Sequence, residues 1–164
     1  MYPAEVLRRR ASLVPDPARV AERARLMLEL MRANDGIGLA APQAGFSERF
    51  FVLHLPRDHE RVFVNPEIVE RSQRTVGSEE SCLSLPGVSV DVPRASWVEV
   101  HAWDERGNRI ELKARGLLGR AIQHEIDHLN GVLCIDHIDP KRRERIARRL
   151  EAYRSYGTTA GNPS

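Results

Sequence analysis

Apolar residues recur at three- and four-residue spacing in two segments of the chain, which is the periodicity of an amphipathic helix. The first segment follows Asp16 and Pro17, a capping carboxylate and a proline that suits the first turn of a helix. It ends near residues 34–36 (NDG), and its apolar stripe comprises Val20, Ala24, Met27, Leu28 and Met31. The second segment, residues 117–129, stops at an Asn-Gly pair. Both segments predict helices that pack an apolar face on the core.

Between these helices, four short segments carry β-branched or aromatic residues and are bounded by turn-forming residues, as strands are. They are residues 49–55, 61–65, 97–103 and 109–113. The last two flank a turn that contains Gly107, so they predict a hairpin. The pattern as a whole predicts an α+β fold, with short antiparallel or mixed β-sheets packed around the central helix and with N-terminal and C-terminal helices.

The third predicted helix, at about residues 140–156, is strongly basic. Residues 141–156 hold seven basic and two acidic side chains, a net charge of +5, whereas the whole chain carries only +2 and the remainder therefore −3. A helix of this kind is either a solvated surface or a surface that binds phosphates. Beyond it, we expect residues 157–164 to be a flexible tail.

Composition limits the class of protein. The chain has 164 residues, of which 41% are hydrophobic and 29% charged, as in one globular domain. It shows neither a secretory signal nor an apolar run of the ~20 residues that span a bilayer. We therefore expect a cytoplasmic protein without a membrane partner, in which Cys82 and Cys134 are free thiols or metal ligands.

Residues 124–128 (HEIDH) have the HExxH pattern and fall inside the second predicted helix. His124 and His128 are four residues apart, so they share one helix face and both imidazoles can reach one metal ion. Glu125 can then take a proton from a water whose pKa the metal lowers. The pattern therefore indicates metal-dependent hydrolysis.

A catalytic metal of this kind usually has a third protein ligand, and the residues alone leave two candidates. Cys134 stands at the spacing at which metzincins have their third histidine, whereas Cys82 lies far upstream. Both thiolates are competent soft ligands, and a buried free cysteine is also an ordinary packing residue.

Three separate segments carry a resemblance to peptide deformylases. Residues 36–43 (GIGLAAPQ) are similar to the first motif of that family, GxGLAAPQ. Residues 80–84 (ESCLS) are similar to the second motif, EGCLS, and residues 123–128 (QHEIDH) to the third, QHExDH. The three occur in the expected order, and the resemblance covers most of the chain. It implies that residues 1–156 form a deformylase-like catalytic domain.

The resemblance implies which side chains form the metal site. Cys82, His124 and His128 correspond to the metal ligands of the family and Glu125 to its catalytic glutamate, which leaves Cys134 as a packing residue. The family uses one divalent ion, with Fe²⁺ preferred and Ni²⁺, Co²⁺ or Zn²⁺ possible.

The resemblance also implies how the substrate is held. The Gln43 side chain and the Leu83 backbone N–H correspond to the donors that stabilise the oxyanion, where preorganised hydrogen bonds contribute several kcal/mol. The expected substrate contacts are Ile37, Gly38, Ser81, Arg94, Leu117 and Ala121. Ser81 stands where the family motif has glycine, so we expect altered substrate affinity if the backbone there needs positive φ or approaches the substrate closely.

The function implied is removal of the formyl group from the N-terminal formyl-methionine of newly made proteins, with release of formate. We expect a monomer, because one compact domain of this size could work alone. The basic helix would dock on the ribosome near the exit tunnel. Two other classes compete with this interpretation. A general metallopeptidase would cut internal or unformylated peptides, and a nucleic-acid-binding module without catalysis would use the basic helix alone.

Overall fold

The computed structural model describes residues 4–159. Within this range the helices are α1 (Ala21–Ala33), α2 (Gly116–Leu129) and α3 (Pro140–Thr159). The strands are β1 (Gly38–Ala40), β2 (Phe50–Leu53), β3 (Arg61–Arg71), β4 (Thr75–Ser81), β5 (Ser89–Ala95), β6 (Trp97–Trp103) and β7 (Arg109–Arg115). This order of elements confirms the predicted α+β fold and all three predicted helices.

The strands form two antiparallel sheets. One has five strands in the order β1-β2-β3-β6-β7, and the other is the hairpin of β4 and β5. The predicted hairpin is confirmed, because β6 and β7 pair with Trp103 opposite Arg109. Its turn contains Gly107 at φ 81°, a left-handed conformation that glycine adopts without steric cost.

Helices α1 and α2 cover opposite faces of the five-stranded sheet, as the alternation of side chains along β2 shows. Phe51 packs in one apolar cluster with Ile122 of α2. Its neighbour Phe50 packs in another cluster with Met27 of α1. Since burying each such side chain contributes about 1.5–3 kcal/mol, both helices are held firmly on the sheet. Helix α2 is thereby a rigid support for the side chains that it carries.

Helix α3 packs on the smaller sheet. Leu150 and the half-buried Ile146 join a third apolar cluster that includes Val90 and Val92 of β5. The helix ends at Thr159 rather than at about residue 156 as predicted. Residues 160–164 lie outside the described residues, and the prediction of a flexible tail falls largely on them.

Strand β3 continues to Arg71, well beyond the predicted end at residue 65. The pairing with β6 shifts register between Val64 and Glu67. Asn65 has φ 51° at this irregularity, and its side chain bonds the backbone of Val14 in both directions at 2.8 Å. Asparagine tolerates such backbone better than most residues do, so the strand bends there without ending.

None of the helices within residues 4–159 combines the length and the apolar character needed to cross a membrane.

Candidate metal centre

Helix α2 places two imidazoles on one face. Its backbone is regular from Gly116 to Leu129, so His124 and His128 are one turn apart. Their Nε2 atoms lie 3.2 Å from each other. His128 is buried, and Ile122 and Ile126 fix the helix on the sheet from the same cluster as Phe51. The pair is therefore held by packing rather than by a loop.

Cys82 completes a group of three ligand atoms. It follows the last residue of β4, and its Sγ lies 3.2 Å from Nε2 of His128. The ligand atoms of Cys82, His124 and His128 all lie within 4.8 Å of one another. In a tetrahedral site with bonds of ~2.0–2.3 Å, neighbouring ligands are roughly 3.3–3.6 Å apart. One sulfur and two imidazole nitrogens at these separations fit a divalent metal ion.

The second cysteine is not part of this group. Cys134 is buried in the apolar cluster beneath α3, and burial raises the pKa of its thiol to about 12. A thiol held protonated among aliphatic side chains is a packing residue. Of the two alternatives that the residues left open, the geometry favours Cys82.

Glu80 lies at the centre of a buried charge network behind the three candidate metal ligands. Its carboxylate accepts a hydrogen bond from His124 Nδ1 at 2.9 Å, two from Arg94 at 3.0 Å, and one from Arg120 at 2.8 Å. Burial opposes its ionisation, but the bonds from His124 and Arg94 hold the pKa of this carboxyl well below its usual range. A carboxylate that bonds the far nitrogen of a ligating histidine fixes the ring orientation.

Arg94 does not line the cleft, although it was predicted to contact the substrate. Its side chain is 6% exposed and lies between Glu80 and Asp127, with both of which it forms ion pairs, instead of facing the cleft. The peptide contact predicted for Arg94 therefore has no support in the geometry. Its guanidinium is paired with the carboxylates of Glu80 and Asp127 behind α2. An unpaired guanidinium would be costly at this depth.

The pKa values of the two imidazoles are shifted in opposite directions. Burial lowers the pKa of His124, but hydrogen bonds with Cys82 and Glu80 outweigh it and raise the value to about 10. Burial and the neighbouring His124 lower the pKa of His128 to about 3. A metal ligand must give up its proton, so we expect metal binding to release the one on His124.

Glu125 points its carboxylate into the same space. It is 4% exposed, and burial raises its pKa to about 7. Among the described residues, its Oε2 atom has no hydrogen-bond partner. A buried carboxylate with one oxygen free and a pKa near neutrality is suited to accept and return a proton.

Gln43 is oriented by its neighbours. The backbone N–H of Ala40 donates to its Oε1 at 2.8 Å, which fixes the amide so that Nε2 points toward Ser84 Oγ at 3.2 Å and Cys82 Sγ at 3.4 Å. The backbone N–H of Leu83 makes no hydrogen bond within the described part of the chain. Both donors thus lie beside the ligand group.

A cleft of about 780 Å³ opens onto these groups. Its walls include most of the predicted substrate contacts, namely Ile37, Gly38, Ser81, Leu117 and Ala121. The backbone strain that a positive φ would cause at Ser81 does not arise, because its φ is not positive and it lies in regular pairing with Ser89.

The sequence analysis gave no role to two residues of the buried charge network. Glu80 opens the second motif, and Arg120 lies on α2, but no sequence pattern indicated that they pair with each other.

Replacement of the two cysteines should separate their roles. A Cys82→Ser variant should lose most of its bound metal, because a hydroxyl is a far weaker soft-metal ligand than a thiolate. The matched Cys134→Ser variant should keep its metal and lose only stability. Metal-to-protein ratios of the purified variants measure the difference, and metal loss confined to the Cys134 variant would favour the metzincin-like ligand set.

Comparisons with known proteins agree with this geometry. Residues 1–144 match the family model described as polypeptide deformylase. The chain is 47% identical over 135 residues to "Peptide deformylase 1" of Clostridium perfringens, covering 81% of this chain and 91% of the relative. It is 45% identical over 127 residues to "Peptide deformylase" of Tolumonas auensis, covering 76% and 75%.

A solved structure shows the same fold. The crystal structure of peptide deformylase from Ehrlichia chaffeensis superposes with a TM-score of 0.90 at 30% identity, covering 96% of each chain. The ligand group, the buried carboxylate beside it and these similarities lead to one conclusion: the chain belongs to the peptide deformylase family.

Proposed function

We propose that this chain is a metal-dependent hydrolase that removes the formyl group from the N-terminal formyl-methionine of newly synthesised proteins and releases formate. The observation that carries the proposal is the group of Cys82, His124 and His128 with Glu125 beside it in one cleft. Family membership supports the reaction class, because the relatives carry the name peptide deformylase.

In the proposed mechanism, Cys82, His124 and His128 hold one divalent ion. When bound, the ion supplies Lewis acidity, which polarises a carbonyl and lowers the pKa of water. Glu125 takes a proton as the hydroxyl of water adds to the formyl carbon. It then gives that proton to the departing amine, so the carbon–nitrogen bond breaks and formate leaves.

Hydrogen-bond donors are needed to stabilise the negative charge that develops on the formyl oxygen. Gln43 Nε2 and the Leu83 N–H are the proposed pair, and the Gln43 amide is oriented before the reaction because the backbone N–H of Ala40 fixes it. The methionine side chain would lie against Ile37, Leu117 and Ala121, which contribute apolar wall to the cleft. Gly38 and Ser81 would flank the peptide backbone.

For the metal, we propose Fe²⁺, with Ni²⁺, Co²⁺ or Zn²⁺ able to replace it. A thiolate with two imidazoles suits several of these borderline ions, so the donor set supports the class of metal rather than one member.

Formate release separates this function from general peptide hydrolysis. Protein loaded with iron in the absence of oxygen should release formate from a formyl-Met-Ala-Ser peptide and leave the unformylated peptide intact. Product masses show which bond breaks. Cleavage of internal peptide bonds, with no formate, would support a metallopeptidase instead.

We further propose that the enzyme acts as a cytoplasmic monomer and that α3 docks on the ribosome near the exit tunnel. What supports docking is the excess of exposed basic side chains on this helix. Truncation is a poor test, because Leu150 is buried in the apolar cluster beneath the helix.

Neutralising Lys141 and Arg148 tests docking without disturbing the core, since both side chains are exposed. The Lys141→Gln/Arg148→Gln variant should co-sediment with ribosomes more weakly, and the slope of log affinity against log salt should fall by about two units. An unchanged slope would argue against phosphate contacts by these residues.

A further inference from the structure

A second cavity, of about 480 Å³, lies between α3 and the turn that joins β4 to β5. One wall consists of residues 87–89, at the end of the turn and the start of β5, and the other carries Arg142, Arg145 and Arg149 beside Ile146. Arg149 is fixed in place, because its Nη2 donates to the backbone carbonyl of Gly87 at 2.8 Å. We call this cavity the arginine pocket.

The arginine pocket keeps its positive charge among the residues that the structure describes. Within the described part of the chain, no carboxylate forms an ion pair with any of its three arginines. Other bases of α3 do have acidic partners: Arg143 pairs with Asp136 and Arg148 with Glu144. Three guanidinium groups around one cavity are suited to a carboxylate, which arginine binds through paired, charge-assisted hydrogen bonds.

The arginine pocket shares a wall with the catalytic cleft. Gly87, Val88 and Ser89 line both cavities. Ser89 pairs with Ser81, and Ser81 directly precedes the metal ligand Cys82. An extended peptide advances about 3.3 Å per residue, so a chain that leaves the catalytic cleft across this shared wall would enter the arginine pocket with residues downstream of its N-terminus.

We propose that the arginine pocket is an extension of the substrate site and that it recognises an acidic side chain downstream of the formyl-methionine. This inference rests on the proposed deformylase function and specifies its substrate class. Asp35 and Glu79 line the catalytic cleft itself, so an acidic side chain close to the methionine gains nothing there. The preference therefore applies to positions whose side chains reach beyond the turn.

Matched peptides test the inference. Formyl-Met peptides of eight residues carry either Glu or Gln at one of positions three to six, and kcat/KM is measured from formate release at low salt. At one or more of these positions, the Glu peptide should exceed its Gln partner by about twofold to fivefold, the range expected for an exposed charge pair. The ratio should shrink as salt is raised, because the pair is exposed to screening.

Two double variants of the same helix identify the groups responsible. In Arg142→Gln/Arg145→Gln the ratio should fall to about one, whereas Lys141→Gln/Arg148→Gln, on the solvent face, should keep it. Turnover of formyl-Met-Ala, which is too short to reach the pocket, should be unchanged in both.

Each contrary outcome has a distinct meaning. A ratio near one at every position in the active wild-type enzyme overturns the inference alone. So does a ratio that survives in Arg142→Gln/Arg145→Gln while ribosome co-sedimentation is lost, because the pocket would then bind RNA phosphates. No formate from any formyl peptide would remove the deformylase function and this inference with it.

Discussion

A Glu125→Gln variant should keep its metal but lose turnover by about 10²–10⁴-fold, the usual contribution of general acid–base catalysis. Glutamine has nearly the shape of glutamate but cannot accept the proton. The carboxylate is buried beside the three ligands, and its pKa is raised to about 7 by burial, so no other carboxylate in the cleft has the same environment. The measurements are formate release and metal content of the same preparation.

The control for this variant is Glu79→Gln, an exposed carboxylate that lines the same cleft. It should turn over at nearly the wild-type rate. The wild-type enzyme should lose kcat/KM toward acid pH, where Glu125 becomes protonated, and the residual activity of the Glu125 variant should lack this acid limb. Normal turnover by Glu125→Gln would remove this residue from the mechanism.

A Gly38→Ala variant should lose activity by about 10²-fold, as expected when a catalytic group is displaced by roughly 1 Å. A β-carbon at Gly38 would overlap the Glu125 carboxylate and would meet Leu53 Cδ2 at 2.9 Å. Both neighbours are buried, so the carboxylate has little room to move without leaving its place beside the ligands. The metal ligands themselves are not in this contact, and metal content should be retained.

Gly77→Ala is the matched control for Gly38→Ala. There a β-carbon meets the carboxylate oxygens of the exposed Asp91 at 3.2 Å, and a solvent-exposed carboxylate can turn away. We expect this variant to stay active. Thermal unfolding of both variants shows whether a lost activity reflects unfolding, and a folded Gly38→Ala enzyme with full turnover would contradict the proposed close approach.

The sequence predicted the elements whose apolar pattern is strong and local. Helix α2 was predicted to within one residue, because its buried positions recur at helical spacing and an Asn-Gly pair ends it. Strand β6 was predicted with its observed bounds, since buried and half-buried residues alternate along it. For these elements, local pattern and tertiary packing agree.

The β4–β5 hairpin was not predicted, because its two strands give a weak local pattern. Strand β4 has a single buried residue, the charged Glu80, and therefore shows no apolar alternation. Strand β5 does alternate, with Val90 and Val92 inward, but it contains Pro93, which weakens a strand prediction. The apolar side of the hairpin is buried against Leu7, Leu133, Ile135 and Leu150, residues far from it in the chain.

The candidate site was predictable only in part. The spacing of His124 and His128 follows from the helix, but chemistry alone could not choose between Cys82 and Cys134, because both thiolates are competent soft ligands. Arg94 was expected to contact the substrate, and the alternative was an exposed surface arginine. Its burial depends on carboxylates from β4 and α2, a three-element contact that no local pattern reveals.

The most direct test is a titration of metal-free protein with Fe²⁺ without oxygen, while formate release from a formyl-Met peptide is followed. No formate should be released before metal is added, and release should then rise and saturate at a single equivalent per chain. In Cys82→Ser the rise should be shallow or absent. Full activity in the presence of a strong chelator, with no metal bound, would show that the reaction does not depend on a metal held by Cys82, His124 and His128.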